Sequence, residues 1–285
     1  MPMAKLRKVK LSYDTTGNGF PIVFVSGLGV DKMCWIYQVP DFQQHFKMIV
    51  FDNRGIGKSQ GSIGPYSIKM MADDVAELLT YLEIKKAHVV GTSMGSMIAQ
   101  ELAINYPEIV EKLVLCSTFA KPYNIIELMT KGIREFVNEE VKNIFNFNPK
   151  RILFEELFNY LLLQIFSESY IKENRPIIEK TLREYLSNIT YAETFIKQLT
   201  AIHKHNTLDR LNQISAETLV LTGTHDKLVP HECSDTLAKR IPNSHLLKID
   251  RGEHGMHFEN PEQFNKIVID YLSSDKIEKY SPPVS

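Results

Sequence analysis

The chain has 285 residues, of which 44% are hydrophobic and 24% are charged. This balance is typical of a folded globular protein with one large core, with or without an inserted subdomain, and it excludes extended disorder. The formal net charge is −1, so the overall electrostatic field offers no attraction to nucleic acid or to an anionic membrane surface. We therefore expect a small-molecule partner, no nucleic acid and no membrane.

Cysteine usage indicates a reducing compartment. Cys34, Cys116 and Cys233 are an odd number with no CxxC spacing, which favours neither a disulfide framework nor a zinc site. The first residues lack the apolar segment of a secretory signal, and no run reaches the roughly 18 apolar residues of a membrane span. We expect a cytoplasmic protein without metal or cofactor, and the sequence leaves its oligomeric state open.

The first half of the chain alternates predicted strands and helices. Basic residues alternate with apolar ones over 5–11, which predicts an edge strand with lysines facing solvent. Apolar runs rich in β-branched residues predict buried strands at 22–25, 48–51, 87–90 and 113–116. Apolar spacing of three or four predicts helices over 67–82 and 94–105. The alternation indicates a mostly parallel sheet covered by helices on both faces.

The same alternation returns near the end of the chain, after a long helical stretch. Strands are predicted at 218–221 and 245–249, and helices at 233–240 and 261–272. Between the two blocks the strand signal disappears. We therefore predict an α/β core formed by residues 1–119 and 209–285, with an inserted helical cap at 120–208. An apolar helix at 152–166 either packs on the sheet or roofs a substrate pocket.

A candidate nucleophile follows the predicted strand at 87–90. Residues 91–95 read GTSMG, and the helix predicted over 94–105 comes directly after Ser93. A serine on a sharp turn from strand to helix exposes its hydroxyl, and flanking glycines avoid crowding in that turn. The Met94 N–H at the helix N-terminus is a natural donor to an oxyanion. An isolated serine before a helix is more often just an N-cap, but the strand and glycine context favours a nucleophile here.

A serine nucleophile needs a base, and the base needs a carboxylate. His254 lies in a glycine-flanked loop after the last predicted strand, where ligands of open α/β sheets bind. His257 is its main rival and is expected to support the loop by hydrogen bonding. His203 and His205 form an isolated pair, which predicts no metal site. Asp226, in the turn after strand 218–221, is the candidate carboxylate, although a lone loop aspartate usually caps a turn.

Two further loops flank the predicted site. Residues 26–29 read SGLG after the first buried core strand, so the Leu28 N–H is a second candidate oxyanion donor unless the glycines form a plain turn. Residues 52–59 read DNRGIGKS but lack the full pattern of a phosphate-binding loop. We expect Asp52 and Arg54 to brace that loop.

Together these motifs resemble the α/β-hydrolase family over residues 20–118 and 210–272. The segments DNRGIGKS, GPYSI, GTSMG and LVLCST are especially similar to those of 3-oxoadipate enol-lactonases and neighbouring carboxylesterases. The resemblance implies an α/β-hydrolase fold, with Ser93 as nucleophile, Asp226 as acid, His254 as base, and Leu28 and Met94 as oxyanion donors. Many relatives have His-Gly where this chain has Ser26-Gly27, so support of the oxyanion loop is expected to differ.

The resemblance implies hydrolysis of an ester or lactone through an acyl-enzyme. Amides, thioesters and carbon-carbon bonds beside a ketone stay open, because one fold hosts all of these reactions. A cofactor-free perhydrolase using the same triad and a small-molecule receptor with little turnover are also compatible with these motifs. The cap carries no motif that identifies the substrate.

Overall fold

A computed structural model describes residues 2–122, 161–186 and 189–274. Its centre is a single eight-stranded sheet in the order β1-β2-β4-β3-β5-β6-β7-β8. The strands are β1 Met3–Lys5, β2 Lys10–Thr16, β3 Phe20–Val25, β4 Phe46–Phe51, β5 Ala87–Thr92, β6 Val110–Cys116, β7 Glu217–Gly223 and β8 Ser244–Ile249. From β4 to β8 all neighbours are parallel, whereas β1 and β2 pair antiparallel. The predicted mostly parallel sheet is confirmed.

Helices cover both faces of this sheet. The longer ones are α1 Ile68–Tyr81, α2 Met94–Asn105, α3 Glu168–Leu186, α4 Ile189–His203, α5 Glu232–Arg240 and α6 Pro261–Ser273. Val39–Phe42 and Met256–Glu259 form single helical turns, and short 3-10 turns span Lys32–Trp35, Pro107–Ile109 and Leu211–Gln213. None of the described helices combines the length and the apolar character needed to cross a bilayer.

Alternating residues of the buried strands supply two apolar clusters, one on each face. Val23 and Val25 of β3 belong to the cluster that includes residues of α1 and α2. Ile22 and Phe24 of the same strand point the other way, into the cluster that includes residues of α6. A strand buried on both faces has no polar face, which explains why the core strands read as continuous apolar runs.

The N-terminal edge corrects one prediction. Residues 5–11 do not form one strand, because the chain turns between β1 and β2 and the Leu6 N–H donates to the Val9 carbonyl at 2.9 Å. Val9 and Leu11 are buried and Lys8 and Lys10 are exposed, which confirms that the lysines face solvent. A tight hairpin without glycine or proline preserves that alternation on both arms and leaves no mark of the turn.

The described residues between β6 and β7 are largely helical, with α3 and α4 as their main elements. The limits at 120 and 208 stay a prediction. Most of the apolar helix predicted at 152–166 lies outside the described residues, since only its end from 161 is included. Of that end, Leu162 is buried and Leu163 is exposed.

Candidate active site

Ser93 lies in a strained turn between β5 and α2. Its φ is 53° and its ψ is −119°, a conformation that residues with a side chain rarely adopt. A Cβ on Gly91 would lie 2.6 Å from the Gly95 carbonyl carbon, and a Cβ on Gly95 would collide with the Val25 carbonyl oxygen. The turn is therefore possible only with glycine at both flanks, as the pattern predicted.

Strand β6 holds this turn in place. The Ser93 N–H donates to the Cys116 carbonyl at 2.9 Å, and the Ser93 carbonyl accepts from Thr118 Oγ1 at 3.0 Å. Ser96 Oγ donates to the Gly91 carbonyl at 2.7 Å and accepts from the Cys116 N–H at 2.9 Å. A strained backbone conformation persists only where surrounding contacts hold it in place, and these hydrogen bonds hold the Ser93 turn.

His254 and Asp226 form a buried pair beyond the ends of β8 and β7. His254 Nδ1 lies 2.9 Å from Asp226 Oδ2 and 3.1 Å from Oδ1. Asp226 Oδ1 also accepts from the N–H groups of Leu228, at 3.0 Å, and Val229, at 2.7 Å. These donors fix the carboxylate, and the carboxylate fixes the imidazole with Nδ1 as the donating nitrogen.

The structure joins His254 to Asp226 by hydrogen bonds. In the described part of the chain, both hydrogen bonds of the His254 ring go to Asp226, and none joins it to Ser93. Strands β5, β6, β7 and β8 are parallel neighbours, so the loops that carry the three residues leave the same edge of the sheet. Catalytic hydrogen bonds of unliganded enzymes often form only when substrate binds.

The loop after β3 packs directly on the Ser93 turn. A Cβ on Gly27 would lie 3.5 Å from the Ser93 Cβ, and Gly29 has a φ of 69°. Leu28 therefore sits between a glycine that contacts the Ser93 turn and a glycine in the left-handed region, where the backbone turns sharply. Met94 is buried as the first residue of α2, at the positive end of the helix dipole.

Ser26 is held by residues that the sequence did not single out. Its hydroxyl lies 3.1 Å from Trp35 Nε1, which donates to it, and 3.2 Å from Cys34 Sγ. Asn53 Nδ2 donates to the Ser26 carbonyl at 3.0 Å. These bonds support the loop at Ser26. No local pattern marks Trp35 or Asn53 for this role.

The chain shares its fold with a large family of known proteins. Residues 21–261 match the family model described as alpha/beta hydrolase fold. The chain belongs to this family. The order of the eight strands and the helices on both faces of the sheet agree with that membership.

Several relatives of this α/β hydrolase carry names or titles that describe reactions. RutD of Yersinia enterocolitica, whose name proposes a carbamate hydrolase, is 28% identical over 271 residues, covering 92% of each chain. The enol-lactonase of Burkholderia xenovorans is 25% identical with a TM-score of 0.82, covering 96% of this chain and 100% of its own. Est816, described as degrading N-acyl homoserine lactones, is 28% identical with a TM-score of 0.78, covering 95% of this chain and 100% of its own.

The loop of residues 52–59 braces this hydrolase, as predicted. The Asp52 carboxylate accepts from the N–H groups of Lys32, at 2.9 Å, and Lys58, at 3.0 Å. The Arg54 guanidinium makes two hydrogen bonds to the Asp74 carboxylate, which lies on α1. Both partners of that ion pair are buried. The loop thus ties the segment after β3 to the sheet and to α1.

Two other histidines that the sequence singled out, His257 and His205, are buried. His257 packs with its ring centroid 5.2 Å from that of Trp35, and its Nδ1 has no partner in the described residues. The hydrogen bond of His257 to a neighbouring segment is made by its backbone carbonyl, which accepts from Gln38 Nε2 at 2.9 Å. His205 is buried with Nε2 3.5 Å from Thr207 Oγ1. The described residues contain no group of three or more His, Cys, Asp or Glu side chains that could hold a metal ion.

Proposed function

We propose that this α/β hydrolase cleaves a carboxylic ester or lactone of a small, largely apolar substrate through an acyl-enzyme on Ser93. The observation that carries the proposal is the buried His254–Asp226 pair, which lies at the sheet edge from which the Ser93 turn also leaves. A base with a fixed tautomer and a serine in a strained, glycine-flanked turn are the two parts that acyl transfer needs.

In the first step the Ser93 oxygen attacks the substrate carbonyl carbon and its proton passes to His254 Nε2. The Asp226 carboxylate stabilises the imidazolium that forms, and the N–H groups of Leu28 and Met94 donate to the oxyanion. When the tetrahedral intermediate collapses, the bond to the leaving oxygen breaks and His254 protonates that oxygen. An alcohol leaves, or the ring of a lactone opens.

In the second step water replaces the alcohol. His254 takes a proton from water, the hydroxide oxygen attacks the acyl carbon, and the same donors hold the second oxyanion. The bond to Ser93 breaks and the serine oxygen regains the proton from His254. The acid product is released and the enzyme returns to its starting state without any cofactor.

The named relatives support an acyl substrate. An enol-lactonase, a lactone-degrading enzyme and a thermophilic esterase from Thermogutta terrifontis, 26% identical with a TM-score of 0.82, all act on ester bonds by their titles. The carbamate named for RutD is a related carbonyl compound. The buried free thiols of Cys34 and Cys116 also fit the cytoplasmic location that we propose.

Covalent labelling tests the proposal. Wild-type protein is treated with a fluorophosphonate and assayed on p-nitrophenyl esters of graded acyl length, lactones, enol-lactones and carbamates. We expect labelling and turnover, with both abolished in Ser93→Ala and both retained in Ser169→Ala, which alters an exposed serine of α3. Labelling that persists in Ser93→Ala contradicts the nucleophile. A labelled protein that turns over none of the panel would favour a receptor or a carbon-carbon bond hydrolase.

Perhydrolysis is the second candidate, favoured by one relative. BpoC of Mycobacterium tuberculosis, whose name proposes a non-heme bromoperoxidase, is 29% identical over 270 residues, covering 94% and 99% of the two chains. In this reaction hydrogen peroxide replaces water as acyl acceptor, so the acyl-enzyme yields a peracid. The test is peracid formation from an ester and hydrogen peroxide. A rate below that of hydrolysis at equal acceptor concentration rejects perhydrolysis as the main activity.

A further inference from the structure

Helix α4 holds both backbone polar groups of Gly29, the residue after the proposed oxyanion donor Leu28. The Gly29 N–H donates to Gln198 Oε1 at 3.0 Å, and the Gly29 carbonyl accepts from the Tyr191 hydroxyl at 2.5 Å. Gln198 is completely buried. Hydrogen bonds on either side of one residue fix the planes of both its peptide groups.

Contact between the helix and Gly29 is close. A Cβ on Gly29 would lie 2.7 Å from the Tyr191 oxygen and 2.8 Å from Phe195 Cδ2. The φ of 69° also disfavours any residue with a side chain. Glycine therefore lets α4 approach the backbone itself, and the two hydrogen bonds use that approach.

The peptide group that carries the Leu28 N–H lies between two anchored peptide groups. Before it, the Ser26 carbonyl accepts from Asn53 Nδ2 at 3.0 Å, which is a contact from the core. After it, the Gly29 N–H is bound to Gln198 of α4. The direction of the Leu28 N–H therefore depends on the core at one end and on α4 at the other.

We propose that Tyr191 and Gln198 are positioning residues that orient the Leu28 N–H through Gly29. The inference rests on the proposed function, because it takes Leu28 as an oxyanion donor. Negative charge on the carbonyl oxygen develops only on the way to the tetrahedral intermediate, so a displaced donor weakens the transition state more than the bound substrate. Docking of α4 is thus part of the assembly of the oxyanion site.

The kinetic test separates positioning from simple packing. Gln198→Met has a similar volume and cannot accept the Gly29 N–H, whereas Gln198→Glu retains an acceptor oxygen. With p-nitrophenyl butyrate we expect Gln198→Met to lower kcat about tenfold with KM changed by less than about twofold. Gln198→Glu should restore kcat to within about threefold of wild type, because the acceptor is present again.

Two further variants protect the test against a folding defect. Tyr191→Phe removes only the hydroxyl that donates to Gly29, and we expect kcat to fall about fivefold. Thr200→Val is the matched control, since the Thr200 hydroxyl donates to the Ile196 carbonyl within α4 and has no bond to the loop. It should keep the wild-type kcat. Circular dichroism melts of all variants show whether each is folded at the assay temperature.

A tetrahedral inhibitor supplies the readout that packing alone would not change. A 3-alkylthio-1,1,1-trifluoropropan-2-one adds to the serine and places an oxyanion in the site, so its Ki should rise by the factor by which kcat falls. If kcat and Ki of folded Gln198→Met and Tyr191→Phe match wild type while Ser93→Ala is inactive, positioning is overturned and the proposed function stands. If Ser93→Ala is fully active, the proposed function fails first and the inference fails with it.

Discussion

Both oxygens of the Asp226 carboxylate form hydrogen bonds with the His254 imidazole, at 2.9 Å and 3.1 Å from Nδ1. One of those oxygens also accepts two backbone N–H groups, from Leu228 and Val229. The carboxylate therefore cannot rotate without losing buried hydrogen bonds. The orientation of the imidazole follows from the turn after β7 as much as from the loop that carries the histidine.

Asp226→Asn is expected to lower kcat/KM about 10³- to 10⁴-fold with little loss of fold. An asparagine keeps its oxygen on the two backbone N–H groups, so its amide group faces His254 and favours the tautomer that carries the proton on Nε2. That nitrogen then cannot accept the serine proton. Ester hydrolysis and circular dichroism measure the two effects. Asp250→Asn, at an exposed carboxylate of the neighbouring loop, is the control, and equal losses in both variants would contradict the assignment.

Gly95→Ala is expected to destabilise the protein by about 1–3 kcal/mol, because the added Cβ would press on the carbonyl oxygens of Val25 and Ser26. Gly27→Ala provides the contrast in stability. Its Cβ would meet the Ser93 Cβ at 3.5 Å, which is ordinary van der Waals contact. Urea unfolding gives both free energies. A Gly95→Ala protein as stable as Gly27→Ala would show that the packing of α2 on the β3 loop is looser than described.

The hydrogen bond from Trp35 to Ser26 is expected to stabilise the loop after β3. Ser26→Ala leaves the buried indole N–H without this acceptor and should cost about 1–3 kcal/mol. In the double variant with Trp35→Phe the donor is absent as well. The loss of unfolding free energy in the double variant should therefore be smaller than the sum of the losses in the two single variants. A double-mutant cycle of unfolding free energies measures the coupling, for which we expect about 1 kcal/mol. Strict additivity would mean that this bond contributes nothing.

Buried histidines make stability depend on pH. Burial lowers the pKa of His257 to about 3 and that of His205 to about 4. Between these values and about 6.5, the usual pKa in an unfolded chain, the unfolded state binds protons that the folded state does not. Stability therefore falls as pH falls through this window, by up to about 1.4 kcal/mol per pH unit for each histidine.

In His257→Phe the chain should take up about one proton fewer on unfolding at low pH, so stability should depend less steeply on pH. Phenylalanine fits among the aromatic rings around this position and does not titrate. Urea unfolding at about pH 7, 6 and 5 gives the slope. The exposed His45 provides the control substitution His45→Gln, which should keep the wild-type slope. An unchanged slope in His257→Phe would mean that His257 is charged in the folded state.

The order of the core elements was readable from the sequence. Each predicted core strand lies within an observed one, such as 113–116 within Val110–Cys116, and the helix predicted over 94–105 has those bounds. The observed strands run one to three residues further at one or both ends, because pairing with a neighbour extends a strand past its apolar residues. The glycines around Ser93 were informative because a sharp turn with close packing has few other solutions.

Some features had no local signal. The hairpin between β1 and β2 was not predicted, because Val9 and Leu11 keep the same alternation that a straight strand would have. The pairing of Trp35 with Ser26 depends on the path of the 3-10 turn after the loop. A contact of this kind is set by packing and geometry, whereas periodicity reports only which face of an element is buried.

The sequence by itself determined the family's motifs, the alternation of strands and helices, and the chain order of Ser93, Asp226 and His254, because each is a local pattern of residue types. Only the tertiary structure decided what surrounds them. Tyr191 and Gln198 meet Gly29 across more than 160 positions of chain, as their separations of 162 and 169 residues show. Such contacts depend on where a helix packs, and that is set by the summed burial of many side chains at once.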